Sequence, residues 1–404
     1  MSFTERLELT EHGRWVPARL SPSTGQLLAK SGVVEARPDA FDPTHWEVRA
    51  LAKVGAVQIA GVEVSITPKI PIRRLFFLLG YTADPTRGWR AEEDLVATGA
   101  HEGVVPAVAH VFERLADRAL RQGLLQGYHA VEDALPVVRG RIRTAEQMRR
   151  HHGIPLPVEV GYDEFSTDIP ENQLLLAGTE RLLRLPGVPV PVRRRLLRLR
   201  TRLAEVSPLV PGHPLPRWQP NRLNTRYQAP CRFAELVLDS FSVEHRYGDV
   251  RIDGFLLDLA KVFEDFVCTA LTQALRPYGG TCRTQARHHL DESGEILLKP
   301  DLLHYSDDGT PSAVADAKYK AQRPEGFPEA DLYQMLAYCT ALGLPAGHLI
   351  YARGNELQAR HTVRGTGTVI YQHSLELDEE PSRILAAVER IAGCAAQDTD
   401  RSPV

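Results

Sequence analysis

ILLKPDLLHY (Ile296–Tyr305) and SAVADAKYK (Ser312–Lys320) are two short runs with the composition of β-strands, joined through Asp307, Asp308 and Gly309, residues suited to a tight turn. They predict a hairpin with strands over Ile296–Tyr305 and Ala313–Tyr319. Side chains alternate between the faces of an extended strand, so Asp316 and Lys318, two apart, share one face. Their neighbours Val314, Ala315 and Ala317 are apolar. A carboxylate and an ammonium in such surroundings require each other, a metal ion or an anionic ligand, because an unpaired buried charge is costly. Asp301, across the short hairpin, is expected to reach the same face. Two carboxylates beside a lysine offer oxygen ligands to a divalent cation such as Mg2+, and an ammonium near an attacking water or a phosphate.

The segments around the hairpin extend this pattern. Helices are expected around Cys231–Glu244 and Leu257–Leu275, then a helix over Glu329–Leu342 and a strand over His348–Ala352, an α/β arrangement. Gln334 and Tyr338 are four apart and therefore on one helical face. Glu264 borders the buried stripe that continues through Val267 and Leu271, whereas Asp265 points elsewhere. Lysine usage sharpens the site. Of 48 basic residues only seven are lysine (Lys30, Lys53, Lys69, Lys261, Lys299, Lys318 and Lys320), and three of these fall between Lys299 and Lys320. Lysine presents a compact charge whose proton affinity a site can tune, and arginine does not.

Pro300-Asp301 and Asp316-Ala317-Lys318 form the pattern PD-(D/E)xK, and this part of the chain resembles the nuclease core of restriction endonucleases and RecB-like nucleases. Gln334 and Tyr338 look like the QxxxY helix of the RecB-like group, and Glu264 like the extra acidic residue often seen on the helix before the strands. The resemblance implies Mg2+ held by Asp301 and Asp316, with the backbone carbonyl of Ala317 as a further ligand and Glu264 holding a metal-bound water or a second ion. It implies that Lys318 positions or helps deprotonate the water, or stabilises the pentacovalent phosphorus. Gln334 would orient the active-site strand or contact the phosphate, with Tyr338 supporting it.

The rest of the 404-residue chain has an ordinary globular composition, 43% apolar and 25% charged. That length suggests two or three domains. No run approaches the roughly 20 apolar residues of a membrane span, and the N-terminus lacks the apolar region of a signal peptide, so a cytoplasmic location is expected. The five cysteines are scattered, without a CxxC pair, and suggest neither a disulfide framework nor a zinc cage. The pairs His151-His152 and His288-His289 lack partners at ligand spacing. The net charge of −3 hides an asymmetry: twelve arginines against the single acid Glu205 give Arg181–Arg232 a charge of +11, leaving −14 for the remainder. Arg193, Arg194, Arg195 and Arg198, on a helix expected over Val192–Val206, are candidate contacts for DNA or a partner, as is Lys69 in TPKIP.

Toward the N-terminus, Val57 and Ile59 alternate, then Val62, Val64 and Ile66, with Gly61 marking a turn between two strands. LFFLLGYT (Leu75–Thr82) reads as a short buried element, and helices are expected over about Glu92–Gly127 and from Pro170. Pro208–Pro220 reads as a connector. The expected architecture is α+β multidomain: a β-rich, partner-binding region over 1–90, a mainly helical middle over 91–225 carrying the arginine block, a restriction-endonuclease-like domain over 226–395, and a tail over 396–404.

ITPKIP (Ile66–Pro71), LFFLLGY (Leu75–Tyr81), VVRGRI (Val137–Ile142), YDEFSTDIPENQLL (Tyr162–Leu175) and NRLNTRY (Asn221–Tyr227) occur in this order. With the nuclease pattern they resemble McrC, the nuclease subunit of McrBC restriction systems, along nearly the whole chain. The chain departs from that family at Gln173, where an arginine commonly follows the asparagine. The resemblance implies a subunit that binds a hexameric McrB-like AAA+ GTPase, stimulates its hydrolysis and cuts double-stranded DNA, including methylated DNA. GTP would belong to the partner, since no GxxxxGK[ST] loop occurs here. Two other readings are a GTPase-activating adaptor with a vestigial nuclease core and a stand-alone RecB-like nuclease. Intact Asp301, Asp316 and Lys318 argue against the first, and the long N-terminal half against the second.

Overall fold

The strand pair anticipated around Gly61 forms, with Lys53–Ile59 antiparallel to Val62–Thr67. Ala60 and Gly61, at φ of 49° and 84°, make the two-residue left-handed turn that suits the twist of a hairpin. Val54, Val57, Ile59, Val62, Val64 and Ile66 are buried. The computed structural model describes residues 5–83, 85, 103–152, 154–185, 187–210, 212–240, 252–319, 329–352 and 359–398. By its internal contacts the chain separates into Met1–Ala107 with Ser240–Val404, and Val108–Asp239.

In the first of these units, Arg6–Thr10 pairs parallel with Val62–Thr67. On the other edge, Ile252–Asp258 pairs antiparallel with Lys53–Ile59, so a strand from the C-terminal half completes the N-terminal sheet. Two glycines permit that junction. A Cβ on Gly55 would lie 2.1 Å from the Phe255 carbonyl oxygen, and one on Gly254 2.3 Å from that of Ala56. A second small sheet pairs His45–Ala50 with Val16–Arg19 and Val34–Pro38.

LFFLLGYT lies in a helix, Ile72–Ala83. Phe77 and Tyr81 meet Phe266 of the helix Leu259–Leu275, with ring centroids 5.6 Å apart in both pairs. Arg74, 1% exposed, forms an ion pair with Glu380 at the start of the helix Pro381–Asp398. Asp258 ends the joining strand and caps Leu259–Leu275, accepting from the N–H groups of Ala260 and Lys261.

The C-terminal sheet has six strands in the order Thr281–Thr284, Leu302–Tyr305, Pro311–Lys318, Ala346–Ala352, Val369–Leu375 and Ala359–Thr362. Pro311–Lys318, Ala346–Ala352 and Val369–Leu375 are parallel neighbours and the outer pairings are antiparallel. One face carries Leu303, Val314, Leu349 and Ile370, packed with Met335, Tyr338 and Cys339 of the helix Glu329–Leu342. Leu302, Ala313 and Ala315, alternate residues in the same strands, meet Leu271, Leu275, Ile391 and Ala395 of the two long helices. The strand expected over Ile296–Tyr305 is broken: Leu297–Leu298 pairs with His288–His289, and Leu302–Tyr305 with the central strand. Pro300 explains the break, since it has no N–H for a ladder.

The second unit contains the helices Pro170–Leu183, Val190–Arg202 and Thr225–Ser240, and most of Val104–Leu120. The helix expected to reach Gly127 stops at Leu120, where Gly123, at φ 88°, donates its N–H to the Leu120 carbonyl. The start expected near Glu92 lies outside the described residues. The expected mainly helical middle also holds a sheet, in which Val158–Ser166 pairs with Gly127–Leu135 and Arg141–Ile142. No described helix is long and apolar enough to cross a membrane.

Replacing Gly55 by alanine should separate the joining strand from the N-terminal sheet locally. Its thermal midpoint is expected to fall by roughly 5 °C or more in a calorimetric scan. An unchanged midpoint would mean that the close approach tolerates a side chain.

Candidate active site

Alternation along Pro311–Lys318 turns Val314, Asp316 and Lys318 toward the helix Glu329–Leu342. Asp316 is 3% exposed and its Oδ2 faces the ammonium of Lys318 in a close ion pair. That oxygen accepts no hydrogen bond among the described residues, so the ammonium charge is what compensates it. Lys318 Nζ also donates to Gln334 Oε1 at 2.9 Å. Gln334 Nε2 donates to the Tyr338 hydroxyl at 2.7 Å, which donates to the Lys299 carbonyl at 3.3 Å. Burial and the charge of Asp316 push the Tyr338 phenol up to about 12, so it serves as a neutral donor. This chain of bonds runs from the central strand through the helix and back to the segment that carries Asp301.

Asp301 follows Pro300 at the break in the hairpin strand, and both of its oxygens are held. Oδ2 accepts from the Ala317 N–H at 2.8 Å and Oδ1 from Gln285 Nε2 at 3.0 Å. Burial, then the neighbouring charge of Asp316, pushes its carboxyl up to about 7, with the Ala317 bond opposing. Glu264 joins indirectly, its Oε1 accepting a short hydrogen bond from the same Gln285 Nε2. Asp265, next in sequence, is pushed up to about 6 by burial. The structure thus brings Asp301, Asp316, Ala317, Lys318, Gln334 and Tyr338 together, with Glu264 attached through Gln285.

Gln285 is the site residue that the sequence did not reveal. It sits one past the strand Thr281–Thr284, whose last rung pairs Thr284 with Leu302, and so falls opposite Asp301. Only that strand pairing could have pointed to it.

The donor set fits a divalent cation. Burial and the charge of Asp316 raise the Asp301 carboxyl, and Asp316 keeps an oxygen without a hydrogen bond among the described residues, which is the electrostatic state that a cation relieves. Among the described residues no group of three or more His, Cys, Asp or Glu side chains is arranged as a cage. Two carboxylates and a backbone carbonyl suit Mg2+, which usually keeps several waters and takes one or two carboxylates.

The arginine block divides by role. Arg193 donates to the carbonyls of Leu183 and Leu185 at 2.6 and 2.8 Å, and Arg195 to Glu113 Oε2 at 2.7 Å. Glu113 is buried, which raises its carboxyl, and the Arg195 guanidinium opposes that. Arg194 and Arg198 are exposed and form no hydrogen bond or ion pair among the described residues. Lys69 donates from Nζ to the His12 carbonyl at 3.0 Å, and its N–H reaches Glu11 Oε2 at 3.3 Å. The Tyr319 hydroxyl meets that same oxygen at 3.1 Å, so Lys69 stands beside a link between the N-terminal sheet and the residue after Lys318. His151 and His288 bond Glu159 and Tyr305, each at 3.0 Å.

A family model described as McrBC 5-methylcytosine restriction system component matches residues 48–352. The chain belongs to the McrBC family. No curated protein matches it. The chain is similar in fold to one in the refined half-complex from the tetradecameric assembly of Thermococcus gammatolerans McrB AAA+ hexamers with bound McrC: 16% identity, TM-score 0.55, covering 96% of this chain and 99% of that chain. A chain of the cryo-EM structure of the Thermococcus gammatolerans McrBC complex matches at 19% identity and TM-score 0.40, over 67% of this chain and 88% of that chain. The McrBC match spans most of the chain, including the Asp301, Asp316 and Lys318 segment.

A carboxyl whose folded pKa lies above its unfolded value contributes stability that is complete below the unfolded pKa and lost as pH rises through the folded one. For Asp301 the loss runs from about pH 4 to above 7. In EDTA this member of the McrBC family should therefore be less stable at pH 8 than at pH 6, by roughly 1 kcal/mol from this group. The Asp316→Asn variant should show a smaller difference in thermal midpoint between the two, and an equal difference would contradict the assignment. In the arginine block, Arg195→Ala is expected to cost about 1–3 kcal/mol by stranding Glu113, and Arg198→Ala less than about 0.5 kcal/mol. Urea denaturation distinguishes them.

Proposed function

We propose that the chain is an McrC-type DNA endonuclease subunit that hydrolyses phosphodiesters with Mg2+, in a complex with a McrB-like AAA+ GTPase hexamer. The observation that carries this reading is the convergence of Asp301, Asp316 and Lys318 at one end of a six-stranded mixed sheet, within a member of the McrBC family. The sheet, covered by helices on both faces, supports a nuclease core of the PD-(D/E)xK type. Membership of a 5-methylcytosine restriction family supports foreign or modified double-stranded DNA as substrate and defence as the role, which would be exercised in the cytoplasm. The likeness to a chain from an assembly of McrB AAA+ hexamers with bound McrC supports the partner. GTP would be bound and hydrolysed there, stimulated by this subunit.

Asp301 and Asp316 would hold Mg2+ with the Ala317 carbonyl. The ion supplies Lewis-acid stabilisation of the charge that develops on the phosphoryl group. Lys318 has three N–H donors: one bonds Gln334, while the ammonium is held to Asp316 by charge. A remaining N–H can orient the attacking water or meet a phosphate oxygen as its charge grows. Gln334 and Tyr338 keep the ammonium from swinging away, and the Tyr338 bond to the Lys299 carbonyl ties that restraint to the backbone before Asp301. Glu264 supports the pair through Gln285 and can hold a water at its rim.

Asp301→Ala and Lys318→Ala, each assayed on methylated plasmid with the McrB-type partner, GTP and Mg2+, are expected to cut on the order of 10³-fold more slowly. GTP hydrolysis by the partner should be stimulated as before. Cleavage at the parental rate would refute the assignment, and stimulation with no cleavage by the unsubstituted protein on any DNA would favour the adaptor reading.

A further inference from the structure

We propose that Gln285 is a positioning residue of this site: its amide stands between Glu264 and Asp301, bonds both, and so keeps Glu264 out of the cation site that Asp301 and Asp316 form. This rests on reading that pair as a divalent-cation site.

Carboxylates only accept hydrogen bonds, so the amide end that lies between two of them must be the nitrogen, which has two N–H groups to give. Nε2 reaches Asp301 Oδ1 at 3.0 Å and Glu264 Oε1 in a shorter contact. The backbone is shaped to deliver it. Gln285 adopts φ 53°, a left-handed conformation that few residues other than glycine, asparagine and aspartate take, and its N–H bonds the Asp301 carbonyl at 3.1 Å. The turn thus ends the strand and leaves the side chain bonded back to Asp301. With the Ala317 N–H on Oδ2, the Asp301 carboxylate is fixed from both sides. Remove the amide, and Glu264 and Asp301 lose the donor they share. They would then repel or share a proton, and either outcome disturbs the carboxylate that the cation site needs beside Asp316.

A donor that orients a ligating carboxylate typically alters metal affinity by about 10–100-fold. The test uses the full chain and Mn2+ alone, with binding followed by electron paramagnetic resonance. The unsubstituted protein should bind Mn2+, and Asp316→Asn should abolish that binding. Gln285→Met keeps the length of the side chain and removes both N–H groups, and should weaken Mn2+ binding at least about tenfold. Adding Glu264→Gln should restore affinity to within about threefold of the parent, because the charge that Gln285 holds off is then gone. A merely structural role would instead lower the thermal midpoint in EDTA and leave Mn2+ affinity unchanged. Gln285→Ala serves if the methionine variant does not fold. Parental affinity in the Gln285 variants, or no recovery on adding Glu264→Gln, would overturn the proposal alone. No Mn2+ binding by the parent, or binding that survives Asp316→Asn, would overturn the cation site and this inference with it.

Discussion

A carboxylate 3% exposed on the central strand of a sheet is the constraint around which the C-terminal half is arranged. Burying Asp316 costs several kcal/mol unless opposite charge and hydrogen bonds accompany it. Lys318 supplies the charge from the same strand face, and the helix Glu329–Leu342 supplies the restraint. That helix is held to the sheet by Met335, Tyr338 and Cys339, and the same registration presents Gln334 to the ammonium. The apolar packing and the polar relay are therefore one arrangement. A shift of the helix that broke the relay would also lift Met335 and Cys339 out of the core.

The N-terminal segment shares a core with this site. Strand Ile252–Asp258 lies in the N-terminal sheet and leads directly into Leu259–Leu275, the helix that carries Glu264. Ile72–Ala83 packs Phe77 and Tyr81 on Phe266 of that helix, two positions from Glu264. Arg74 holds Glu380, and Glu11 meets Tyr319 beside Lys318. Removing the first hundred residues would expose the packed aromatic cluster and leave a strand edge unpaired, so the two segments are unlike independently folded modules. A displacement of the N-terminal sheet has a short covalent and hydrogen-bonded route to both Glu264 and Lys318.

Much of the site was legible because its signals are local. Asp316 and Lys318 follow from a period of two, and Gln334 and Tyr338 from a spacing of four. Gln285 carries no local signal, since its role comes from the Thr284 and Leu302 rung and from a left-handed φ that TQAR does not announce. The sheet of the middle unit escaped for a different reason. Among the described side chains of Gly127–Leu135 one face is exposed, with Tyr128 at 76%, and on the other Val131 and Leu135 are only half-buried, so the strand carries no fully buried apolar face to read. LFFLLGYT was recognisable as buried, but a continuous apolar run does not distinguish a helix from a core strand. The arginine block was visible as charge alone. Its division into Arg193 and Arg195, which make internal bonds, and the outward Arg194 and Arg198 depends on the carbonyls of Leu183 and Leu185 and on Glu113, 82 residues away in the sequence.

The charge balance of the site makes it incomplete as a protein structure by itself. Asp301, Asp316 and Glu264 face one ammonium and one neutral amide, and the repulsion appears in the raised Asp301 carboxyl. On the proposed nuclease reading, a phosphodiester would add negative charge, so the protein's own groups would oppose substrate binding until a cation was present. The same imbalance would make cation and substrate depend on each other, each bound more favourably once the other was there. Lys318 is what keeps the imbalance tolerable. Its charge is tied to Asp316 and its direction to Gln334, so one ammonium both compensates the buried carboxylate and is held to the helix Glu329–Leu342.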